Sequence, residues 1–306
     1  MTSTAHSSDR LGYDPTAPLT PSGNLRRRLL VSRIAQGGAV LAAILAVAAL
    51  AVVTYDVIQQ GASALSLGFL IHDPPQFGGA GGGIRSDILG TAMIVVLGAL
   101  MATPIGILIA IYLTEFASPR SRLGNALRLG LDLMQGVPSI VVGIFVLGLI
   151  VDVQHKDSGF AGSVALAIIM LPLIARSTQE VLRLVPTALR DASDALGVER
   201  WRAILTVILP TAVGGILTGS ILAIARAAGE TAPLLVADST FGPHLTFNWF
   251  GPMPNIPVSI LTASEALNPA AYARAWGAAL VLLAGILLAN VGARLLLARS
   301  RRRITG

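Results

Sequence analysis

The sequence predicts an all-α, polytopic membrane protein with about six transmembrane helices, and three observations carry that prediction. Of 306 residues 54% are hydrophobic and 12% charged, with a mean hydropathy of +0.73; one soluble core of this length cannot hide so much apolar surface. Uncharged runs recur at 34–55, 88–114, 133–151, 158–175, 203–225 and 275–293, each near or above the length an α-helix needs to cross a hydrocarbon core. The basic residues alternate in sidedness between those runs. Segments before run one, between two and three, between four and five and after six hold five, three, five and five Lys/Arg, whereas the opposite segments hold only Arg85, Lys156 and Arg274, with Arg226 assigned to the end of the fifth span. The positive-inside rule then puts both termini in the cytoplasm.

Composition also removes whole classes of function. The net charge of +6 flanks membrane spans, so lipid headgroups are its partner and no nucleic acid is needed. There is no cysteine, and the only lysine is Lys156, so neither a thiolate site nor a phosphate-cradling Gly-Lys-Ser/Thr loop exists. His6, His72, His155 and His244 lack metal-binding spacing, and no metal site is assigned. Without a nucleophile and base that can be paired, an intramembrane enzyme is disfavoured.

In chain order, 1–33 is polar, ends in the Arg26-Arg27-Arg28 run and reads as a disordered cytoplasmic tail. Its apolar continuation is too long for a cleaved leader and is an uncleaved first span, opening a transmembrane domain over 34–298. The external loop after it carries FGGAGGG, a flexible linker rather than an anion nest in the absence of a following helix. Pro104 lies in the second span, where it frees a carbonyl and kinks the helix. A cytoplasmic loop over 115–132 leads to the third span, which opens on Gln135, Gly136, Pro138 and Ser139; small residues there serve close packing. The fourth span ends at Arg176, which reads equally as an anchor at the headgroups or as a group facing a pathway. The uncharged run 239–264 contains Pro243, Pro252, Pro254 and Pro257 and reads as an external loop, because prolines leave helix carbonyls unpaired in lipid. Its Phe241, Phe247, Trp249 and Phe250 suit an interfacial belt. Residues 299–306 form a basic cytoplasmic tail.

Between the fourth and fifth spans, 186–201 reads as a short surface helix with Leu189, Ala192 and Leu196 on one face and Arg190, Asp191 and Asp194 on the other. Gly197 suits the left-handed residue that ends such a helix, and Trp201 suits the headgroup level. Asp191, Ala192, Ser193, Gly197, Val207, Leu209 and Pro210 spell acid-Ala-small-x3-Gly-x9-aliphatic-x-Leu-Pro. This pattern, over 186–210, resembles the EAA loop by which ABC-importer permeases dock onto their ATPases. Asp191, Ser193 and Val207 depart from the usual glutamate, alanine and isoleucine. The runs ALAIARAAGETAPLL and GGGIRSDILGTAMIVVLGALMATPIGILIAIYLTEF are similar to the PstA-type permease subunits of phosphate-specific importers.

That resemblance implies the type I ABC importer permease fold and a subunit that moves inorganic phosphate without binding a cofactor. ATP and Mg would sit on the partner ATPase. The implied assembly is this chain, a second homologous permease subunit, two ATPase subunits and an external phosphate-binding protein. Arg226, after 23 uncharged residues, is costly unless it meets water, a cavity or an opposite charge. Glu230 follows four residues later, so a structural i,i+4 pair competes with a substrate site built on Arg226, Glu230 and Arg176. Gly229 and Pro233 loosen the helix there, which favours the site. Another oxyanion, or an ion-coupled secondary anion transporter, are the remaining alternatives; the latter needs no EAA-like elbow.

Overall fold

The computed structural model of the chain describes residues 23–75, 82–238 and 247–304. Among them every regular element is helical. The chain divides into two units, Met1–Asp56 and Val57–Gly306. Helix α1 runs Gly23–Ala62, α2 is Leu67–Ile71, and α3 (Arg85–Ile111) continues through a π-helical turn at Tyr112–Phe116. Then come α4 (Arg122–Gly136), α5 (Ser139–Val146), a π-helical turn at Leu147–Val151, α6 (Asp152–Gln154) and α7 (Gly159–Arg183). The elbow holds α8 (Thr187–Ala195) and α9 (Arg200–Ala203), whose π-helical extension Ile204–Ile208 runs into α10 (Leu209–Ala227). Helices α11 (Ala232–Ala237), α12 (Ile256–Glu265) and α13 (Pro269–Ile304) complete the chain.

Five helical stretches are long and apolar enough to cross a membrane, or six if the bent pair Arg122–Gly136 with Ser139–Gln154 is counted as one span. The expected third span over 133–151 is therefore not one helix. It breaks at Val137–Pro138 with a bend of 104°. Proline has no N–H to donate and bars the preceding residue from helical geometry, which is why Val137 is extended at φ −75°, ψ 128°. What remains straight, Ser139–Gln154, is 16 residues, about 24 Å at 1.5 Å per residue.

Other expectations are corrected in the same way. The supposed loop 115–132 contains most of α4, started by Ser121, whose Oγ accepts from Gly124 N at 3.1 Å. The run 239–264, read as a loop, holds α12 from residue 256. Asn255 Oδ1 caps it by accepting from Val258 N at 3.0 Å, and Pro257 falls in the first turn, where a missing N–H costs nothing. With 10 residues it is too short to span. Residues 23–33 of the expected tail are the start of α1, and 299–304 continue α13. Residues 1–22, most of the FGGAGGG run and Phe241 lie outside the described residues. Helix α3 runs unbroken through Pro104.

Helix α7 is the centre of the second unit, with Leu166, Met170, Ile174 and Leu182 wholly buried. Apolar side chains gain nothing by leaving lipid for another helix, so association rests on close backbone approach and on polar contacts. A Cβ at Gly98 of α3 would stand 2.9 Å from Ser163 O of α7, so a larger residue there would drive the two helices apart. The start of α3 is fastened to α12 by hydrogen bonds: Ile256 N donates to Thr91 Oγ1 at 2.8 Å, and Ser259 Oγ to Asp87 Oδ2 at 2.8 Å.

Candidate functional site

The first functional region is the elbow. Helix α8 starts after Pro186 and ends in a Schellman turn: Val198 N donates to Ser193 O at 3.0 Å and Gly197 N to Asp194 O at 3.0 Å. Gly197 has φ +69°, a conformation that costs an L side chain about 1–2 kcal/mol. The expected apolar face is corrected. Leu189, Arg190 and Ser193 turn toward the protein, while Ala192 is exposed and Leu196 is 82% exposed. Ser193 turns its hydroxyl back to Leu189 O at 2.9 Å, which lets it be buried where a free hydroxyl is costly. Arg190, expected among the outward charges, instead meets Glu115 of the π-helical turn, Nη2 to Oε1 at 2.8 Å. Asp191 and Asp194 remain exposed. Leu209 packs on the cluster around Leu182, Ile204 and Ile208, and Pro210 enters the first turn of α10. Trp201 is half-exposed, its Nε1 donating to Glu199 Oε2 at 2.8 Å.

The second region is a cavity of about 420 Å³ between the α4–α5 break, α7 and the end of α10. Its polar lining is Gln135, Ser139, Arg226 and Glu230, and Pro138, Val142, Ile169, Pro172 and Leu173 are among its apolar walls. Helix α10 stops at Ala227 and α11 begins at Ala232, so Glu230 lies in a break rather than one turn along a helix. Arg226 and Glu230 share the cavity, but among the described residues they form no ion pair with each other. The i,i+4 pair is thereby corrected: four residues no longer equal one turn once the helix has ended. The break is buttressed, since a Cβ at Gly143 of α5 would stand 2.8 Å from Pro233 Cα.

Arg176 is not among the cavity's lining residues. It ties α7 to α4, pairing with Asp132 and donating to Arg128 O at 3.3 Å and to Gln179 Oε1 at 3.2 Å. The sequence gives Gly136 to close packing and assigns Gln135 and Ser139 no role; the one signal for more is two polar groups flanking a Gly-x-Pro inside an apolar run. Glu115 carries no local signal, because an acid at the end of an apolar run looks like any interfacial charge. Among the described residues no group of three His, Cys, Asp or Glu is placed to hold a metal.

Helices long enough to span a membrane, a polar-lined cavity beside a broken pair and a two-helix elbow fit a membrane permease, and the comparisons give the class. Residues 102–304 match the family described as "Binding-protein-dependent transport system inner membrane component", and the chain belongs to that family. Within it the chain is of the PstA type. It is 37% identical over 254 residues to the Phosphate transport system permease protein PstA of Yersinia pestis, covering 81% of this chain and 84% of that one. With the PstA of Mycobacterium leprae (strain TN) it shares 41% over 226 residues, 71% and 72% of the two chains. A solved inward-facing structure of the MetNI methionine ABC transporter shares the fold, with a TM-score of 0.55 at 16% identity over 71% of this chain and 94% of that one. The chain is thus an all-α, multi-pass permease of the type I ABC importer class and not an enzyme.

Proposed function

We propose that this chain is the membrane-spanning permease subunit of an ATP-driven importer of inorganic phosphate, forming half of the translocation pathway. The observation that carries the reading is the guanidinium of Arg226, with no ion-pair partner among the described residues, in a cavity framed by two broken helices. Such a charge within a membrane bundle belongs to a pathway by default. Its planar fork meets two phosphate oxygens at once. The printed names of the relatives, which specify phosphate transport, support the choice of anion. Glu230, which lines the same cavity, keeps one such cation from holding the anion too tightly, since conduction needs sites that release. Arg176, one turn along α7 from Leu173, braces α4 at the cavity's cytoplasmic mouth.

The elbow supplies the energy link. Exposed Ala192 and Leu196, flanked by Asp191 and Asp194, are the surface that enters a groove on a separate ATPase subunit, with Gly197 setting the turn and Leu209-Pro210 joining it to the span. This chain binds no cofactor; ATP and Mg stay on the ATPase. A second homologous permease subunit, two ATPase subunits and an external phosphate-binding protein complete the assembly. It lies in a bacterial plasma membrane with both termini cytoplasmic.

The test is uptake of labelled phosphate by the reconstituted complex. Arg226→Lys is expected to slow uptake while assembly and ATP hydrolysis survive, and Arg226→Ala to abolish it. The double variant Arg226→Gln, Glu230→Gln removes both charges without stranding either. Parent-rate uptake by that variant would show that neither charge takes part.

A further inference from the structure

Glu115 is 4% exposed, at the point where α3 loosens into its π-helical turn. A carboxylate so buried costs several kcal/mol unless it is paired. Arg190 pairs it with a fork: Nη2 reaches Oε1 at 2.8 Å, and Nε reaches Oε1 at 3.2 Å and Oε2 at 3.3 Å. The same guanidinium donates to Val185 O at 2.8 Å and to Leu182 O at 2.9 Å, the end of α7. Arg200 of α9 stands 3.9 Å from Oε2, with its guanidinium 5.7 Å from the centre of the Phe116 ring. One carboxylate thus joins α3, both elbow helices and, through Arg190, the end of α7, across 75 residues of sequence.

A buried ion pair is a poor way to gain stability, because apolar groups of the same volume often serve as well or better. What it adds is direction: a guanidinium fork fixes both angle and distance, so a displacement of α8 is passed on and not absorbed. Elsewhere α8 is lightly held, with Leu189 packed inward and Ala192 and Leu196 exposed. From Leu182 helix α7 runs to Leu173 on the cavity wall, nine residues or about 13.5 Å of helix on the C-terminal side of Pro172.

We propose that Glu115 is the strut through which the elbow drives the spans: held by Arg190, it makes α8 and the α3–α7 pair move as one body and so fixes how much transport each ATP hydrolysis yields. This rests on the reading that the elbow docks on the ATPase. Glu115 and Arg190 are positioning residues and touch neither nucleotide nor phosphate.

The experiment uses the complete complex in proteoliposomes, with ATPase retention, ATP hydrolysis and phosphate uptake measured on one preparation. Glu115→Gln, and the double variant Glu115→Leu, Arg190→Met that removes both charges together, are expected to retain the ATPase and hydrolyse ATP. Uptake per ATP should fall by about tenfold, within the range of ordinary coupling energies. Because the chain has no native cysteine, spin labels at Thr187→Cys and Leu108→Cys report the elbow-to-α3 distance directly. On nucleotide binding that distance should hold in the parent and change in Glu115→Gln. Parent-like uptake per ATP in both variants, or a distance that stays fixed in Glu115→Gln, overturns the proposal. Loss of membrane insertion by both variants also overturns it, by making the pair a stability element. If the parent itself does not retain the ATPase, the docking reading fails instead.

Discussion

Replacing Gly197 by alanine isolates the backbone term of the elbow. A Cβ at Gly197 would meet no atom within 4 Å, so no steric clash enters. What remains is the φ of +69°, which costs a non-glycine residue about 1–2 kcal/mol. The lower chain entropy of unfolded alanine does not rescue a residue whose native φ is positive. A net cost of about 1 kcal/mol lowers the population of the turned elbow roughly fivefold. Valine, branched at Cβ, should cost more; asparagine, which visits the left-handed region most readily among side-chain-bearing residues, should cost least. The assay is co-purification of the ATPase with the tagged permease, beside membrane insertion and phosphate uptake. The expected order of retention is glycine, asparagine, alanine, valine, with insertion unchanged throughout. Equal retention by alanine and valine at the parent level, or asparagine no better than valine, would show that the left-handed turn is not what orients the elbow.

Two further predictions follow from the same structure. For topology, Asp194→Cys and Lys156→Cys occupy exposed positions in a chain without native cysteine; an impermeant thiol reagent on intact cells should label Lys156→Cys and spare Asp194→Cys, and the reverse pattern would invert the model of the membrane. For pH dependence, Asp238 after α11 is wholly buried, and burial pushes its carboxyl up to about 8 against the hydrogen bond from Met253 N, with Asp157 nearby adding to the rise. The folded state therefore holds a proton that the unfolded chain releases near the ordinary carboxyl value of 3.8. That contribution is fully present below about pH 4, declines by at most about 1.4 kcal/mol per pH unit, and is gone above about pH 8. The Tm of the purified parent should fall between pH 5 and pH 8 more steeply than that of Asp238→Asn; parallel curves would refute the assignment.

The spans were legible because lipid demands a length and a composition that a sequence displays openly. The elbow was legible because a left-handed glycine and a helix of nine residues leave local marks. Its orientation was not. The face with Ala192 and Leu196 looked as though it belonged inside by apolar periodicity, and what turned it outward was Glu115, 75 residues away, drawing Arg190 inward. A long-range charge partner has no local signature, so periodicity ranked the faces by hydrophobicity alone.

The cavity shows the same limit from the other side. A hydropathy window over 133–151 averages across Pro138 and sees a span where the chain makes two helices at 104°. Arg226 stood out in sequence, and so did Glu230, but counting four residues assumed a helix that ends at Ala227. Both breaks carry marks in the sequence, Gly136 and Pro138 at one and Gly229 and Pro233 at the other, yet each mark alone explains only a kink. Irregular backbone at membrane depth survives only where protein or a water-filled cavity covers it. Two breaks in one bundle must therefore be covered by protein or by a cavity, and here Gly143 of α5 packs on Pro233 of α11, while Gln135 and Ser139 at one break and Arg226 and Glu230 at the other line one cavity.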